Sequence, residues 1–413
     1  MSTTPEHVAV TDVPLSPVIA EVVKNRADPY TLYRHYRETD PMNRADPGIW
    51  TFTRYHDILT VLRDDRFSVD PRNVTAFDEV RASSGEEDSF IQNAAGRVLL
   101  FTDPPDHTRL RTLVNKAFTP RTVERLRAHI TELVGGILDD VAGGGEMDVI
   151  EDLAYPLPAL VICELMGVPT SDRDMFRGWS GEVAPVLDPW TSKEVLDNAV
   201  GTLAKFLFYF MDLVQKRRDD PQDDLVSALL AAEEQDDKLT DEQLLALCIL
   251  VFIAGHETTQ NLIGNGLLAL LRHPDQLRKL RENPSLTKDA VEELLRYDSP
   301  VQLTGRSPTT DIEIADVTIP KGDQIILLLG AGNRDPAVFE DPDRLDITRA
   351  KTSVLSFGAG AHFCLGAGLA RLEGAIVFNE LLARFPGLEL AIDEPEYRET
   401  LTLRGLKSLP VRL

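Results

Sequence analysis

The residues Ser356-Phe357-Gly358-Ala359-Gly360-Ala361-His362-Phe363-Cys364-Leu365-Gly366-Ala367 place one cysteine between a glycine-rich loop and a predicted helix. The helix is predicted to begin just after Cys364, because apolar residues recur there at helical spacing, namely Leu365, Leu369, Leu372 and Ile376. A helix N-terminus carries partial positive charge, which favours a thiolate over a thiol. Gly358 and Gly360 allow a tight turn, and Gly366 allows another group to approach the backbone closely.

Two interpretations of Cys364 follow from this pattern. A thiolate beside backbone N–H groups, with room for a flat partner, is what a haem iron needs in its proximal ligand. The alternative is a buried free cysteine, which packs as a small hydrophobic side chain. The surrounding glycines and the helix start favour the haem ligand.

Composition limits the class of protein. The chain has 413 residues, 43% of them hydrophobic, and a net charge of -24 from 43 basic and 67 acidic residues. Such an excess of acid argues against nucleic acid as a partner. No signal peptide and no membrane span is predicted. Three cysteines give no disulfide framework, so a cytoplasmic location is expected, with Cys163 and Cys248 as core residues.

One local stretch reverses the overall charge. Between His107 and Arg127, a single acid, Glu124, faces six cations: Arg109, Arg111, Lys116, Arg121, Arg125 and Arg127. This basic stretch is either a solvated helix face or a docking patch for an acidic partner. His107 and Arg111 are four residues apart, so both side chains lie on one helix face and could bind a pair of carboxylates.

The N-terminal part of the chain is predicted to be loosely organised. Residues 1–26 are interpreted as a lead-in, and residues 27–413 as one domain. A polar segment, residues 68–93, is interpreted as a long loop, either a lid or a disordered insertion. Helices are predicted over residues 30–37, 55–62, 122–141, 157–166, 194–217, 225–232 and 287–297.

A long central helix is predicted to begin after Thr240, which forms a capping box with Gln243. Its apolar pattern ends at His273-Pro274, which gives about 32 residues or roughly 48 Å. Glu257 and Thr258 interrupt this pattern, and a buried carboxyl group is costly unless it is paired or functional. The break indicates a site; the alternative is a kink whose polar groups are satisfied by a neighbouring helix.

After Ser299-Pro300 the pattern changes to strands, predicted over residues 301–306, 312–314, 317–319 and 324–329. A last hairpin is predicted between residues 401–403 and 411–413. Glu293 and Arg296 precede the strands on a helix and, taken alone, are interpreted as an ordinary i,i+3 pair.

Four motifs together resemble the soluble bacterial cytochrome P-450 family of haem-thiolate monooxygenases. They are Phe357-Gly358-x-Gly360-x-His362-x-Cys364-Leu365-Gly366, Ala254-Gly255-x-Glu257-Thr258, Glu293-x-x-Arg296 and Asn333-Arg334-Asp335-Pro336. The resemblance implies a mainly α fold with a small β-rich lobe. Haem b, iron protoporphyrin IX, would lie between the long central helix and the cysteine loop.

The resemblance also implies a role for each matching residue. Cys364 would be the axial thiolate ligand of the iron. The haem propionates would be held by four residues: His107, Arg111, Arg306 and His362. Glu257 and Thr258 would be the acid–alcohol pair that delivers protons to bound dioxygen. Glu293, Arg296 and Arg334 would form a structural network behind the haem.

The implied reaction is insertion of one atom of O₂ into a lipophilic small molecule by hydroxylation or epoxidation. A polyketide, macrolide or terpenoid of secondary metabolism is expected, in a pocket formed by Ile253, Ala254, Val301, Leu303 and Leu401. No flavin-like domain follows Leu413, so electrons are expected from a separate ferredoxin and ferredoxin reductase. The alternatives are a peroxide-using haem-thiolate enzyme and a haem-binding sensor.

Overall fold

The chain is largely helical in the computed structural model, which describes residues 16–45, 48–76, 98–183, 188, 193–234, 237–350 and 353–413. Within these residues the α-helices are, in chain order, α1 (Pro17–Lys24), α2 (Tyr30–Thr39), α3 (Tyr55–Arg63), α4 (Asp106–Ala117), α5 (Pro120–Arg125), α6 (Arg127–Val141), α7 (Pro156–Met166), α8 (Arg173–Val183), α9 (Lys193–Asp219), α10 (Leu225–Ala231), α11 (Asp241–Arg272), α12 (Pro274–Glu282), α13 (Thr287–Tyr297), α14 (Leu329–Gly332) and α15 (Ala367–Arg384).

The strands are short and form a small β-rich lobe. They are β1 (Met42–Ala45), β2 (Ile49–Phe52), β3 (Phe67–Ser68), β4 (Glu146–Asp148), β5 (Glu233–Glu234), β6 (Asp237–Lys238), β7 (Leu303–Pro308), β8 (Ile312–Ile314), β9 (Val317–Ile319), β10 (Gln324–Leu328), β11 (Glu389–Leu390) and β12 (Pro410–Arg412). The main sheet has the order β1-β2-β10-β7-β3, with β2 and β10 parallel and the other pairs antiparallel. The mainly α fold class predicted from the sequence is correct.

Helix α11 runs through the middle of the helical part. Its capping box forms as predicted: Gln243 N donates to Thr240 Oγ1 at 3.2 Å, and Thr240 N donates to Gln243 Oε1 at 3.1 Å. The helix spans 32 residues and packs against α7, α9, α13 and α15. By length and apolar composition α11 could cross a membrane, but 61% of its most apolar window is buried inside the protein, as in a core helix.

The apolar core has three parts. The largest cluster surrounds α11 and includes both predicted core cysteines, Cys163 and Cys248. Two smaller clusters cover the two faces of the main sheet, because successive side chains of a strand point to opposite faces. Along β10, Ile325 and Leu327 belong to one cluster, whereas Ile326 and Leu328 belong to the other.

The prediction of a loose lead-in over residues 1–26 is wrong for its second half. Residues 17–24 form helix α1, capped by Ser16, whose Oγ accepts from Ile19 N at 3.3 Å. Val18 and Ile19 are fully buried against the main sheet. A short amphipathic helix of this kind forms because packing, rather than length, supplies most helical stability. Residues 1–15 lie outside the described part of the chain.

The predicted final hairpin is also wrong. Strand β12 pairs with β11 and β4 instead of with residues 401–403. Leu403 makes an isolated bridge to Val301, so the segment 396–406 is a loop across the end of the main sheet. Both predicted segments have a composition typical of strands, but which strands pair depends on tertiary packing.

The predicted loop over residues 68–93 is described only at its start. Residues 71–73 form one 3₁₀ turn, and Ser307 Oγ of β7 donates to Asn73 O at 2.9 Å. The start of the loop is therefore attached to the main sheet. Residues 77–93 of the predicted lid lie outside the described residues.

Candidate functional site

The cysteine loop has the tight backbone that its glycines predict. Cys364 N donates to Phe357 O at 2.9 Å, which closes the loop. Gly358 and Gly360 have φ of +68° and +71°, a region that favours glycine. A Cβ atom on Gly360 would overlap the carbonyl oxygen of Leu62 at the end of α3. Glycine is therefore required for the loop to pack against α3.

Two opposing effects act on the pKa of the Cys364 thiol. Protein atoms surround most of the thiol, although solvent still reaches it, and burial raises the pKa of Cys364 above its ordinary value. The backbone N–H of Gly366, the guanidinium groups of Arg111 and Arg371 and the N–H of Ala367 lower that pKa. Helix α15 begins at Ala367, so these N–H groups belong to a helix N-terminus, as predicted. All four favour the thiolate that a metal ligand requires.

Two arginines and two histidines lie together beside the cysteine. The rings of His107 and His362 are 4.0 Å apart between centroids, and Arg111 Nη2 donates to Phe363 O at 2.8 Å. Burial and the nearby side chains of His107, Arg306 and Arg111 together lower the pKa of His362 to about 3. Burial also lowers the pKa of Arg306 to about 10, against the opposing effect of Asp103. The positive charge of this cluster therefore comes from Arg111 and Arg306, and the two histidines are neutral at pH 7.

Buried nitrogen atoms in this cluster lack partners. Within the described residues, both ring nitrogens of His107 and Nε2 of His362 are buried without a hydrogen bond. Buried polar groups are normally paired, so such orphans point to a ligand. Two carboxylates would satisfy them and neutralise the cluster. Haem b carries two propionate groups on its porphyrin ring, and its iron atom can bind a thiolate. These residues therefore fit haem b.

Arg296 is the centre of a buried network behind the cysteine loop. Its Nε and Nη2 donate to the two oxygens of Glu293, both at 2.8 Å, and its side chain is 1% exposed. Nη1 also donates to Asn333 O at 3.0 Å and to Pro342 O at 2.7 Å. Arg349, which no sequence motif singled out, is a second partner of Glu293 at 3.1 Å. The pair is therefore not the exposed i,i+3 pair that its spacing alone suggested.

Asn333 connects this network to the cysteine loop. Its Nδ2 donates to Ser299 Oγ at 2.8 Å and to Ser356 Oγ at 2.9 Å, while its Oδ1 accepts from Leu355 N at 2.7 Å. The network thus holds the residues at which the cysteine loop begins.

Arg334 fixes the end of α13. It donates to Tyr297 O at 2.9 Å and pairs with Asp343 at 3.0 Å. Its guanidinium also lies over the rings of Tyr30 and Tyr297, 4.2 Å and 4.0 Å from their centroids. Such cation–π contacts add to the stability of the same region.

Glu257 and Thr258 lie in the middle of α11, and the helix remains continuous there. Thr258 Oγ1 donates to Ala254 O at 2.9 Å, one turn back. Glu257 is buried, and its Oε1 is 3.4 Å from Arg398 Nη1. Burial raises the pKa of Glu257, Arg398 lowers it and Asp188 raises it. The partner of Glu257 comes from the C-terminal loop, 141 residues away, so no local pattern could have predicted it.

The five predicted pocket residues do not belong to one cluster. Ile253 packs in the cluster around α11, and Val301 contacts one face of the main sheet. Leu303 and Leu401 pack together on the other face with residues of α1 and α2, and they are 5% and 6% exposed. Ala254 is half-buried on α11 beside Ile253. Leu303 and Leu401 therefore have the packing of core side chains.

Comparison with known proteins agrees with this geometry. The family model described as Cytochrome P450 matches residues 182–405. The biotin biosynthesis cytochrome P450 of Bacillus subtilis is 45% identical over 399 residues, covering 95% of this chain and 97% of that protein. The chain belongs to the cytochrome P450 family. This cytochrome P450 is accordingly a haem b-dependent monooxygenase, an oxidoreductase.

One further relative and one solved structure extend this comparison. The polyketide biosynthesis cytochrome P450 PksS of Bacillus subtilis is 41% identical, covering 94% of this chain and 96% of that protein. A crystal structure of P450BioI in complex with hexadec-9Z-enoic acid-ligated acyl carrier protein is 43% identical, with a TM-score of 0.86. It covers 95% of this chain and 99% of that one. The fold of this cytochrome P450 is therefore the family fold over most of its length.

Proposed function

We propose that this cytochrome P450 hydroxylates or epoxidises a lipophilic small molecule in the cytoplasm, with electrons from a separate ferredoxin and ferredoxin reductase. The observation that carries the proposal is Cys364 at a helix N-terminus, beside two arginines and two histidines whose ring nitrogens lack hydrogen-bond partners among the described residues. The test is the ferrous carbonyl spectrum of the purified protein, which must show thiolate ligation. A spectrum of nitrogen ligation would overturn the assignment.

In this proposal each part of the site has one task. Cys364 would ligate the iron, and His107, Arg111, Arg306 and His362 would bind the two propionates. When bound, haem supplies the iron that activates O₂. The network of Glu293, Arg296 and Arg334 holds the cysteine loop in position and takes no part in the chemistry.

Glu257 and Thr258 supply protons. Burial keeps the Glu257 carboxyl neutral to a higher pH than an ordinary glutamic acid, so this group can donate a proton inside the protein. The Thr258 hydroxyl is oriented by its bond to Ala254 O, and it stands one residue from the carboxyl. We infer that Glu257 would donate its proton toward the Thr258 hydroxyl, which would help to pass it on.

A Thr258→Ala variant tests the monooxygenase against the peroxide-using alternative. We expect reductant consumption to continue while product per reductant falls about tenfold or more and peroxide rises, since general acid catalysis contributes at least 10²-fold in many enzymes. Thr258→Ser keeps the hydroxyl and is expected to retain most of the product. Unchanged product formation in Thr258→Ala would favour the peroxide enzyme, and absence of turnover in the unaltered protein would favour the haem sensor.

We propose a polyketide, macrolide or terpenoid as the substrate. The residues proposed for the pocket are aliphatic, which suits a lipophilic molecule. A relative named for polyketide biosynthesis and a solved relative bound to a fatty acyl carrier protein support a substrate with a long or large hydrocarbon skeleton. A screen for ligand-induced spectral shifts of the ferric protein, with free acids and carrier-bound acyl chains as separate arms, tests this choice.

The ferredoxin is proposed to dock on the cysteine side of the haem, through the basic stretch on α4 and α5. Within that stretch, Arg125 pairs with Asp223 at 3.0 Å, Arg127 pairs with Glu124, and Arg111 donates to Phe363 O. Lys116 and Arg121 are exposed and Arg109 is half-buried. Phe363, beside the cysteine, is 40% exposed. An apolar side chain near cations is suited to an acidic protein partner.

Charge reversal at Arg109, Lys116 and Arg121 to glutamate tests this patch. We expect the apparent KM for ferredoxin to rise about tenfold or more at low salt, since electrostatic steering changes association rates by 10–10³. The difference should shrink as salt is raised. The control reverses Lys24, Lys216 and Lys407, which changes the net charge equally on other elements. Equal effects of the two triple variants would reject the patch.

A further inference from the structure

Arg398 is fixed between the C-terminal loop and the central helix. Its backbone N donates to Gly405 O at 2.9 Å, and its Nε donates to Leu406 O at 3.3 Å. These two bonds hold the loop around it, and Nη1 then lies 3.4 Å from Glu257 Oε1. The Arg398 side chain is 27% exposed, whereas that of Glu257 is 4% exposed. Arg398 therefore spans the distance from a buried carboxyl group to the surface of the protein.

We propose that Arg398 is a positioning residue that holds Glu257 for proton donation. This inference rests on the proposed function, in which Glu257 is the proton donor. A guanidinium does not release its own proton in proteins, so Arg398 is not itself the relay. In each cycle Glu257 gives up one proton toward Thr258 and takes one proton from water.

Two charged groups act on the Glu257 carboxyl among the described residues. Arg398 comes from the C-terminal loop, and Asp188 comes from the connection between α8 and α9. Arg398 lowers the pKa of Glu257, whereas burial and Asp188 raise it. Removal of Arg398 therefore raises that pKa further, and the carboxyl stays neutral up to a higher pH than in the unaltered protein.

The experiment compares Arg398→Gln and Arg398→Lys with the unaltered haem-loaded protein. Infrared titration of the resting ferric protein follows the carboxyl band that disappears in Glu257→Gln. We expect its midpoint to move to higher pH in Arg398→Gln and to stay near the original value in Arg398→Lys. Product per reductant should fall about three- to tenfold in Arg398→Gln, a part of the usual contribution of a positioned acid. As pH rises, product per reductant in Arg398→Gln should begin to decline at a higher pH than in the unaltered protein.

A double variant and a surface control complete the design. If Arg398 acts through Glu257, Arg398→Gln adds no further loss to Glu257→Gln, because the two changes remove one function. Arg412→Gln breaks another arginine–glutamate pair, with Glu389 at 2.6 Å on the surface, and is expected to leave coupling and titration unchanged. Additive losses would overturn the inference.

Failure of the proposed function can be distinguished from failure of the role proposed for Arg398. If Glu257→Gln leaves product per reductant unchanged, the proton-donor role in the proposed function fails. If Glu257→Gln uncouples the enzyme while Arg398→Gln and Arg398→Lys both keep the original infrared midpoint, only the role of Arg398 fails. Should Arg398→Gln not fold with haem, the lysine variant decides. Its charge must preserve the midpoint, and a large shift in Arg398→Lys would contradict the inference.

Discussion

A Cys364→Ser variant is expected to lose product formation completely and to lose the thiolate signature of its ferrous carbonyl spectrum. The sulfur is the atom around which the loop is built, since Gly358 and Gly360 turn the chain and the N–H groups of Gly366 and Ala367 act on it. A serine hydroxyl stays protonated in this setting and donates far less charge to iron than a thiolate does. Loss of that charge removes the effect that favours O–O cleavage.

The matched control is Cys163→Ala, which removes a thiol from another part of the same protein. Cys163 is fully buried in the core around α11, and burial raises its pKa to about 12. It therefore packs as a small hydrophobic residue. Cys163→Ala is expected to keep the thiolate spectrum and activity, with a stability loss of about 1 kcal/mol. A thiolate spectrum that survives in Cys364→Ser and disappears in Cys163→Ala would reverse the assignment of the ligand.

Local patterns predicted the scaffold of the site well. The capping box of Thr240 and the His273-Pro274 ending gave the bounds of α11, and the apolar spacing after Cys364 gave the start of α15. These features depend on neighbours within one or two turns, so they are visible in the sequence. The strands Ile312–Ile314 and Val317–Ile319 formed with the predicted ends for the same reason. Helix α1 also had a local signal, because Ser16 before Pro17 is a typical helix start. The polar residues earlier in the N-terminus obscured this signal.

Contacts between distant segments could not be predicted in this way. Arg398 meets Glu257 because the C-terminal loop crosses the end of the main sheet and approaches α11, and that path depends on how β12 pairs. Asn333 reaches Ser356 for a comparable reason, through the packing of α14 against its neighbours. Spacing alone presented Glu293 and Arg296 as a surface pair, whereas tertiary packing buries both side chains. Hydrophobic periodicity indicates which face of a helix or strand is buried. It does not indicate which residue of a neighbouring segment packs against that face.

Replacement of Arg296 by methionine is expected to destabilise the protein by about 3 kcal/mol or more, the scale of breaking a buried ion pair. Arg296 donates to both Glu293 oxygens and to the backbone carbonyls of Asn333 and Pro342, so the variant leaves several buried acceptors unpaired. Arg349 keeps Glu293 partly neutralised, which holds the loss to the lower part of that range. The measurement is the urea midpoint of the haem-loaded protein, with haem content per chain as a second readout.

The change should reach the cysteine loop through Asn333. Arg296 holds the Asn333 carbonyl, and the Asn333 side chain holds Leu355 and Ser356 at the start of the loop. Haem content should therefore fall together with stability in Arg296→Met. A Glu293→Leu/Arg296→Met double variant should recover part of the stability, because removing both charges leaves no buried carboxylate unpaired. Arg412→Gln, which breaks the exposed pair with Glu389, should cost no more than about 1 kcal/mol. If Arg296→Met and Arg412→Gln lost equal stability, the buried network would not be what holds the loop.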